Sequence, residues 1–384
     1  MNRRAEGLLK RALRAFPAVL VLGPRQCGKT TLVTQALPEF DHFDLEKPED
    51  LGRISADPSG FFDLHPKRIV IDEAQRMPEI FSILRPVLDS RPQKGRIVLT
   101  GSASPDLVRG VSESLAGRVG VVPLTPFLAE EVEGSSYSGR REFYGGFPPL
   151  MTLRSNDARR LWLEAYIQLF LERDLPAMGL KLPPARMRLL WTMLTHVHGN
   201  ILNMSDLSRS LGVSVPTVQA NLDVLEHTFM IRRLPPFFAN IQKRLTKSPK
   251  IYIRDTGLLH YLAGLRDEAA LQTWDRRGAS FEGLVIEELI TRAQIADPGA
   301  RGYFWSTHGG GETDLILISR GVTTPIEIKR SHSVDLRELG PLKRCMADLG
   351  LKRGVLIYRG RKRVRLTAEV DAIPWDEIRA GGEL

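Results

Sequence analysis

An apolar run that leads into a glycine-rich loop and then into a helical pattern constrains this sequence more than any other feature. Residues 18–22 read Ala-Val-Leu-Val-Leu, which is typical of a buried β-strand. The loop that follows, residues 23–30, has the pattern G-x-x-x-x-G-K-T, and residues 31–37 continue with a helical pattern. A strand, this loop and a helix in that order predict a phosphate-binding loop in an α/β domain with a parallel sheet.

The residue types in the loop suit the binding of a nucleoside triphosphate. The two glycines let backbone N–H groups approach the phosphates, and the N-terminus of the following helix adds a partial positive charge. Lys29 is expected to reach the β- and γ-phosphates, and the hydroxyl of Thr30 to bind Mg²⁺. The predicted nucleotide-contacting residues are Gly23, Pro24, Arg25, Gln26, Cys27, Gly28, Lys29, Thr30, Thr31, Thr100 and Ser102.

Two further predicted strands end in polar residues that would lie beside this loop. Residues 68–71 lead to Asp72 and Glu73, and residues 96–100 lead to Ser102. Parallel strands present their carboxyl ends at one edge of a sheet, so these side chains are expected near the phosphates. Asp72 is predicted to hold Mg²⁺ and Glu73 to polarise the attacking water. An ordinary acidic pair at a strand end is the alternative.

The middle of the chain carries most of the excess positive charge. The whole sequence has 54 Lys and Arg against 45 Asp and Glu, and residues 151–265 account for 15 basic and 8 acidic side chains. A localised positive field favours a polyanionic partner, although a solvated basic surface has the same composition. The cations expected to contact phosphate are Arg209, Arg232, Arg233, Lys243, Arg244, Lys247 and Lys250.

The same segment contains the pattern of a helix-turn-helix. Residues 204–225 read as two helices joined by a tight turn at Gly212, with Ser214 as the N-cap of the second helix. Residues 231–234 follow as a strand or wing. This winged-helix pattern predicts a DNA partner, duplex or branched, but a joint between protein domains is also open. Since the second helix has no Arg or Lys, sequence-specific base contacts are not expected.

The last third of the chain combines acidic residues with a lysine in a pattern suited to a metal site. Glu282 lies near the start of a predicted helix, and Asp314 lies on a predicted strand. Glu327 and Lys329 are two residues apart on a further strand, so they face the same way. Asp314 and Glu327 are predicted to bind Mg²⁺ while Lys329 stabilises charge on a phosphodiester. An inactive remnant of such a site is the alternative.

Composition narrows the class of protein further. With 384 residues the chain is expected to form two or three domains, and 42% hydrophobic and 26% charged residues exclude a disordered tail. The cysteines, Cys27 and Cys345, indicate neither a disulfide framework nor a metal knuckle and favour the reducing cytoplasm. No apolar run approaches the roughly 18 residues that a membrane span needs, so no membrane partner is expected.

The order of these motifs resembles the prokaryotic AAA+ ATPases that carry a C-terminal restriction-endonuclease-like domain. The segment Leu-Ala-Gly-Arg at 115–118 and the segment at 255–259 extend the resemblance, as do the Phe-Glu-Gly helix and the Ile-Glu-Ile-Lys strand. The resemblance implies ATP as the ligand and a homo-oligomer, for which a hexameric ring is one form. Arg118 would then be a candidate arginine finger acting on a neighbouring subunit, with a structural salt bridge as the alternative.

The resemblance also implies an α/β architecture with three domains. These are a P-loop AAA+ core with a parallel sheet (residues 1–150), a helical lid and winged-helix domain (151–265) and a restriction-endonuclease-like α/β domain (266–384). The leading hypothesis is a Mg²⁺-dependent ATPase that couples hydrolysis to DNA remodelling or scanning. A second hypothesis adds metal-dependent DNA cleavage. The third is a nucleotide-gated DNA- or protein-binding regulator, of a transcription or antitoxin type, with a vestigial nuclease fold.

Overall fold

The computed structural model describes residues 2–90, 92–102, 114–178, 182–237, 248–307 and 311–384. Three of the predicted phosphate-contacting cations, Lys243, Arg244 and Lys247, lie outside the described residues.

Five parallel strands form the first sheet. They are β1 (Ala18–Gly23), β2 (Asp41–Asp44), β3 (Ile69–Asp72), β4 (Ile97–Ser102) and β5 (Val119–Pro123). Their spatial order is β2-β3-β4-β1-β5, and each neighbouring pair is parallel. The carboxyl ends of the strands therefore meet at one edge. The predicted strands and the parallel sheet are confirmed.

Helices cover this sheet because its strands are apolar on both faces. They are α1 (Ala5–Ala15), α2 (Lys29–Ala36), α3 (Pro48–Ala56), α4 (Pro58–Leu64) and α5 (Ile80–Ser90). Successive residues of β1 point to opposite faces, so Leu20 packs in one core with α4 and α5, and Val21 packs in another with α1 and α2. Both faces are thus filled by packing, which leaves the carboxyl edge for binding.

The middle of the chain is mainly helical. It contains α6 (Ala129–Val132), α7 (Arg141–Tyr144), α8 (Pro148–Thr152), α9 (Asn156–Leu169), a π-helical turn (Phe170–Asp174), α10 (Leu175–Ala177), α11 (Pro184–His196), α12 (Met204–Leu211), α13 (Val215–His227), β6 (Ile231–Leu234), β7 (Lys250–Ile253) and α14 (Thr256–Leu262). Gly212 ends α12 with a left-handed φ of 63°, and the side chain of Ser214 accepts a hydrogen bond from the backbone N of Thr217 at 3.3 Å. Two helices joined by a glycine turn therefore occur where the sequence predicts them.

A mixed six-stranded sheet forms the C-terminal region. Its elements are α15 (Glu268–Thr273), α16 (Arg277–Ala296), β8 (Arg301–Ser306), β9 (Glu312–Ser319), β10 (Val322–Lys329), α17 (Gly340–Leu349), β11 (Gly354–Tyr358), β12 (Val364–Arg365), β13 (Val370–Pro374) and α18 (Trp375–Arg379). Strands β8, β9 and β10 form an antiparallel meander, and β11 pairs parallel with β10 and β13. Helix α16 packs its apolar face on this sheet.

Contacts between the regions bring the three parts of the chain together. The backbone N of Ala129 donates to Glu288 Oε2 of α16 at 2.9 Å, and Arg4 of the N-terminus bonds to Glu130 at 2.6 Å. The guanidinium of Arg11 donates to the carbonyl of Ile295. Within the described part of the chain, no helix combines the length and apolar character that crossing a bilayer requires.

Candidate nucleotide site and a second acidic cluster

The phosphate loop connects the end of β1 to the N-terminus of α2. A Cβ at Gly23 would lie 2.1 Å from the carbonyl oxygen of Leu124, so a larger residue does not fit. Gly28 precedes α2 with a φ of 97°, a conformation that L side chains rarely adopt. The backbone between them therefore turns tightly onto a helix N-terminus, where N–H groups and the helix dipole favour an anion.

Lys29 lies at the start of α2 with its ammonium among neutral oxygens. Its Nζ donates to the carbonyl of Pro24 at 3.0 Å, to that of Gly23 at 3.3 Å and to the hydroxyl of Ser102 at 3.4 Å. The structure thus brings together Lys29 and Ser102, which lie 73 residues apart in the sequence. Both are at the carboxyl edge of the sheet, as predicted.

Asp72, at the end of β3, joins the phosphate loop to the end of β4. Its Oδ2 accepts a hydrogen bond from the Thr30 hydroxyl at 2.5 Å, and its Oδ1 accepts one from the Thr100 hydroxyl. A hydroxyl and a carboxylate in contact are oxygen donors of the kind that Mg²⁺ prefers. Thr30 and Asp72 are therefore the residues at this site that could hold the ion.

Glu73 lies beside Asp72 in a left-handed backbone conformation, with a φ of 57°. Its carboxylate accepts a hydrogen bond from the side-chain amide of Gln75, whose carbonyl oxygen accepts one from the backbone N of Ser102 at 3.1 Å. Gln75 was not predicted from the sequence, although its position two residues after Glu73 was a usable signal. It orients the carboxylate relative to the end of β4.

These residues border a cavity of about 530 Å³, called here the nucleotide cavity. The phosphate loop and Glu73 form one side, and residues of the helical region form the other. The helical contributors are Pro148, Pro149, Tyr166, Leu169, Arg173 and Asp174. A second cavity of about 460 Å³ shares Gly28, Thr31 and Pro148 with it and is also lined by Phe127, Tyr137 and Met151.

An ion pair crosses from the phosphate loop to the helical region. Arg25 Nε lies 2.9 Å from Asp174 Oδ2, at the end of the π-helical turn. Burial raises the pKa of Asp174, and the guanidinium of Arg25 opposes that rise. Asp174 was not predicted as a site residue because its partner lies about 150 residues earlier in the sequence.

The side chain of Cys27 points away from the nucleotide cavity. Its Sγ is fully buried and donates to the carbonyl of Leu124 at 3.6 Å, while its own carbonyl accepts a bond from Arg3 at 2.9 Å. Burial raises the pKa of the thiol, and the charge of Lys29 opposes this. Cys27 therefore has a packing role for its side chain.

Arg118 lies at the opposite edge of the sheet from the phosphate loop. It immediately precedes β5, and its carbonyl accepts a bond from the backbone N of Ala18, the first residue of β1. Its guanidinium binds both oxygens of Asp89 on α5, at 2.6 and 3.0 Å. This bond lowers the pKa of Asp89. Arg118 is therefore not part of its own subunit's nucleotide cavity.

The four C-terminal residues predicted as a site do lie together. The carboxylate of Asp314 on β9 accepts a bond from the backbone N of Ile328 on β10 at 2.8 Å, and Lys329 Nζ donates to Glu327 Oε1 at 2.6 Å. Glu327 Oε2 has no hydrogen-bond partner among the described residues. Burial, together with the charges of Glu282 and Glu327, holds the pKa of Asp314 well above its usual range.

Lys250 of β7 completes this group. Its Nζ lies 2.5 Å from Glu312 Oε1, 3.1 Å from Glu282 Oε1 and 3.9 Å from Asp314 Oδ1. Burial alone would lower the pKa of Lys250, but the surrounding carboxylates raise it. We call this group of residues the acidic cluster: Lys250, Glu282, Glu312, Asp314, Glu327 and Lys329.

The expectation that Lys250 faces a phosphate is therefore wrong. Its side chain is only 2% exposed. The other described cations of that prediction also have partners within the chain. Arg232 bonds to Glu287 at 2.8 Å, Arg233 pairs with Glu226 and Asp223, and Arg209 pairs with Asp206. Of these cations, Lys250 and Arg232 pair with acids outside residues 151–265 and so offset part of the positive charge counted in the middle of the chain.

The arrangement of ligand types limits what the two sites could hold. Among the described residues, no group of three or more His, Cys, Asp or Glu side chains is arranged to hold a metal ion. Thr30 with Asp72, and Asp314 with Glu327, remain the pairs predicted to bind Mg²⁺.

Comparison with known proteins divides the chain into three family matches. Residues 15–133 match the AAA domain family, residues 139–269 match a domain of unknown function (DUF8612), and residues 277–378 match another domain of unknown function (DUF4143). The first match covers all five strands of the parallel sheet and confirms the predicted P-loop ATPase core.

Two mycobacterial proteins are similar to this chain over its whole length. They are the uncharacterized proteins Rv2008c of Mycobacterium tuberculosis and Mb2031c of Mycobacterium bovis. Each is 43% identical over 390 residues, which covers 100% of this chain and 86% of the relative. Among solved structures, the Walker-type ATPase paby2304 of Pyrococcus abyssi has a TM-score of 0.48 and 18% identity, over 68% of this chain and 95% of that one.

Proposed function

We propose that this chain, which belongs to the same family as Rv2008c and Mb2031c, is a cytoplasmic Mg²⁺-dependent ATP hydrolase. The observation that carries the proposal is the convergence of Lys29, Thr30, Asp72 and Glu73 at one edge of the parallel sheet, beside the nucleotide cavity. The match of this region to the AAA domain family supports it. Two free, buried cysteines are consistent with a reducing compartment.

The chemistry follows from the contacts of these residues. Lys29 exchanges its carbonyl partners for the β- and γ-phosphates, while the loop N–H groups bind the remaining phosphate oxygens. Thr30 and Asp72 would hold Mg²⁺, and the bound ion would neutralise charge at the phosphates. Glu73, oriented by Gln75, accepts a proton from the attacking water, and Ser102, whose hydroxyl accepts a bond from Lys29 at 3.4 Å, is expected to contact the γ-phosphate.

The second cavity is suited to the nucleoside. It meets the nucleotide cavity at Gly28 and Thr31, just where the phosphate loop enters α2. Phe127, Tyr137 and Met151 give it an apolar lining that an adenine ring can pack against. Phosphates on one side of Gly28 and the base on the other would use both cavities.

Replacing the proposed base tests the assignment directly. Glu73→Gln is expected to retain MgATP binding but to lower turnover by about 100-fold or more, because the amide cannot accept a proton. Glu79→Gln, an exposed acid on the same segment, is the matched control and is expected to behave as wild type. Undiminished hydrolysis by Glu73→Gln would overturn the role of Glu73.

We also propose that Arg118 acts on the nucleotide of a neighbouring subunit in a homo-oligomer. Its position away from its own nucleotide cavity supports action in trans, after release from Asp89. Glu73→Gln subunits keep Arg118, and Arg118→Ala subunits keep Glu73. If Arg118 acts in trans, a mixture of these two inactive variants regains turnover. Activity of Arg118→Ala alone at the wild-type rate would show a structural salt bridge instead.

DNA is the proposed partner of the middle region. The order α11, α12, α13 and the β6–β7 pair, with a bridge between Ile201 and Lys250, supports a winged-helix arrangement. ATPase rates with duplex, single-stranded and branched DNA, alongside mass measurement with nucleotide, test the coupling. Stimulation at a defined oligomeric state supports a motor. Slow turnover unaffected by DNA, with nucleotide-dependent affinity for one operator or protein, favours a regulator.

Metal-dependent cleavage of DNA is a second candidate activity. It is favoured by the convergence of Asp314, Glu327 and Lys329 of the β8–β9–β10 meander with Glu282 of α16, which Lys250 joins to Asp314. Nicking in Mg²⁺ or Mn²⁺ that is lost in Asp314→Ala would support it. Absence of cleavage on duplex, single-stranded and branched substrates would argue for a vestigial nuclease fold.

A further inference from the structure

The ion pair between Arg25 and Asp174 joins the phosphate loop to the helical region at the nucleotide cavity. The Arg25 side chain is 31% exposed, whereas that of Asp174 is 6% exposed. The exposed partner can thus change its contacts more readily than the buried one. We propose that Asp174 is a positioning residue that holds Arg25 away from the phosphates until MgATP binds and displaces it, so that nucleotide occupancy is transmitted to the helical region. This inference rests on the proposed ATP site.

The charges around the cavity explain why nucleotide and Asp174 compete. Among the described residues, the cations that line it are Arg25, Lys29 and Arg173, and the acids are Glu46, Glu73 and Asp174. A triphosphate adds several negative charges beside Asp174, and like charges at short range repel. The guanidinium of Arg25 can instead form paired hydrogen bonds with phosphate oxygens. Nucleotide binding therefore favours a state in which Arg25 leaves Asp174 and binds the phosphates.

The position of Asp174 in the chain explains how its release is transmitted. It is the last residue of the π-helical turn, and such turns are frequent at functional sites. Phe170, at the start of the same turn, packs against Trp191 of α11 with ring centroids 5.4 Å apart. Since α11 packs in one core with α12 and α13, a change in the turn reaches the proposed DNA-binding helices.

The affinity of the full-length protein for MgATP, measured by titration calorimetry, tests the competition. Asp174→Asn keeps the shape of the side chain but removes its charge, so the Kd is expected to fall by about fivefold or more. Glu172→Gln, an exposed acid two residues earlier, is the matched control and should not change the Kd. In an Arg25→Ala background Asp174→Asn should lower the Kd less than it does in the wild-type background, because only the direct repulsion between Asp174 and the phosphates is then relieved. Asp174→Glu alone keeps the charge and should leave the Kd at its wild-type value.

The outcomes separate this inference from the ATP site itself. An unchanged or higher Kd in Asp174→Asn overturns the inference, since Asp174 would then be neutral or would orient Arg25 toward the phosphates. Failure of the wild-type protein to bind MgATP overturns the proposed function together with the inference. If Asp174→Asn does not fold, hydrogen exchange in the wild-type protein decides. A nonhydrolysable ATP analogue should speed amide exchange across residues 170–178, and unchanged or slower exchange there overturns the inference.

Discussion

At the nucleotide site, the described residues that bond to the ammonium of Lys29 offer neutral oxygens, whereas in the acidic cluster Lys250 and Lys329 bond to carboxylates. Hydrogen bonds from a charged group to neutral oxygens contribute about 1.5–3 kcal/mol each but leave its charge uncompensated, so an incoming phosphate can replace them. Breaking a buried ion pair by removing one partner costs about 3–5 kcal/mol. The charge of Lys29 is therefore available to an incoming anion, whereas the charge of Lys250 is already compensated by carboxylates of the chain.

The difference arises from how the two sheets are covered. The carboxyl edge of the parallel sheet ends at a phosphate loop and opens onto the nucleotide cavity. In the C-terminal sheet, β7 of the middle region lies against α16 and β9, so that Lys250 enters the acidic cluster from another part of the chain. Similar residue types therefore form a site that is open to a ligand, at the nucleotide cavity, and one that is filled by the chain itself, at the acidic cluster.

The largest expected effect is a difference in ATP turnover between variants of Lys29 at the nucleotide site and Lys329 in the acidic cluster. Lys29→Met should lower ATP turnover by about 10²–10³-fold, because the charge that stabilises the phosphates is lost. Lys329→Met is the matched substitution at the acidic cluster and should leave the ATPase rate within about twofold of wild type. Steady-state phosphate release measures both. A large loss in Lys329→Met would show instead that the two sites are coupled.

The next largest effect concerns the contribution of the acidic cluster to the stability of the fold. Lys250→Met should lower the free energy of unfolding by about 3–5 kcal/mol, because Glu282, Glu312 and Asp314 are left without their cation. Urea denaturation measures the change, with Lys343→Met on the exposed side of α17 as the control. A loss of less than about 1 kcal/mol would mean that the carboxylates do not depend on Lys250. Adding Asp314→Asn to Lys250→Met should recover part of the loss.

The sequence predicted the phosphate loop and the polar strand ends beside it because their signals are local. A strand, the phosphate loop and a helix occupy consecutive residues, and the acidic strand end at Asp72 has one expected place in a parallel sheet. The two-residue spacing of Glu327 and Lys329 likewise follows from the pleat of a single strand. Patterns of this kind fix both the residue type and its position.

Contacts between distant segments could not be read in the same way. Lys250 lies 32 residues from Glu282 in the sequence, and Arg232 lies 55 residues from Glu287. Both partners belong to α16, beyond the predicted domain boundary at residue 265. A charge count by segment therefore treats Lys250 and Arg232 as available to solvent or DNA, although acidic residues of α16 neutralise them. Asp174 escaped prediction for the same reason, since only the folded chain brings it to Arg25.

A smaller effect is expected from the hydrogen bond between Tyr252 and Glu282 of the acidic cluster. The Tyr252 hydroxyl donates to Glu282 Oε1 at 2.5 Å, next to the bond from Lys250. Tyr252→Phe should lower the free energy of unfolding by about 1.5–3 kcal/mol, because a bond to a charged group is lost. Combining it with Lys250→Met in a double-mutant cycle measures their coupling. Additive losses would indicate that the two groups support Glu282 independently.

The smallest effect is a dependence of stability on pH that arises from two buried histidines in contact with β7 and α16. His198 accepts a bond from the backbone N of Ile253 at 3.0 Å, and His260 contacts the Ser280 hydroxyl at 2.7 Å. Burial lowers the pKa of His198 to about 3 and that of His260 to about 4. Below a pH of about 6.5 the unfolded chain therefore takes up protons that the folded protein does not, and stability falls as the pH falls.

At pH 5.5 each buried histidine should have reduced the free energy of unfolding by about 1.2 kcal/mol relative to pH 7. Urea denaturation between pH 7.5 and about 5 measures this dependence, which His260→Gln should reduce. His332→Gln, at an exposed position, is the control and should keep the wild-type slope. If His260→Gln left the slope unchanged, the acid sensitivity would originate elsewhere in the chain.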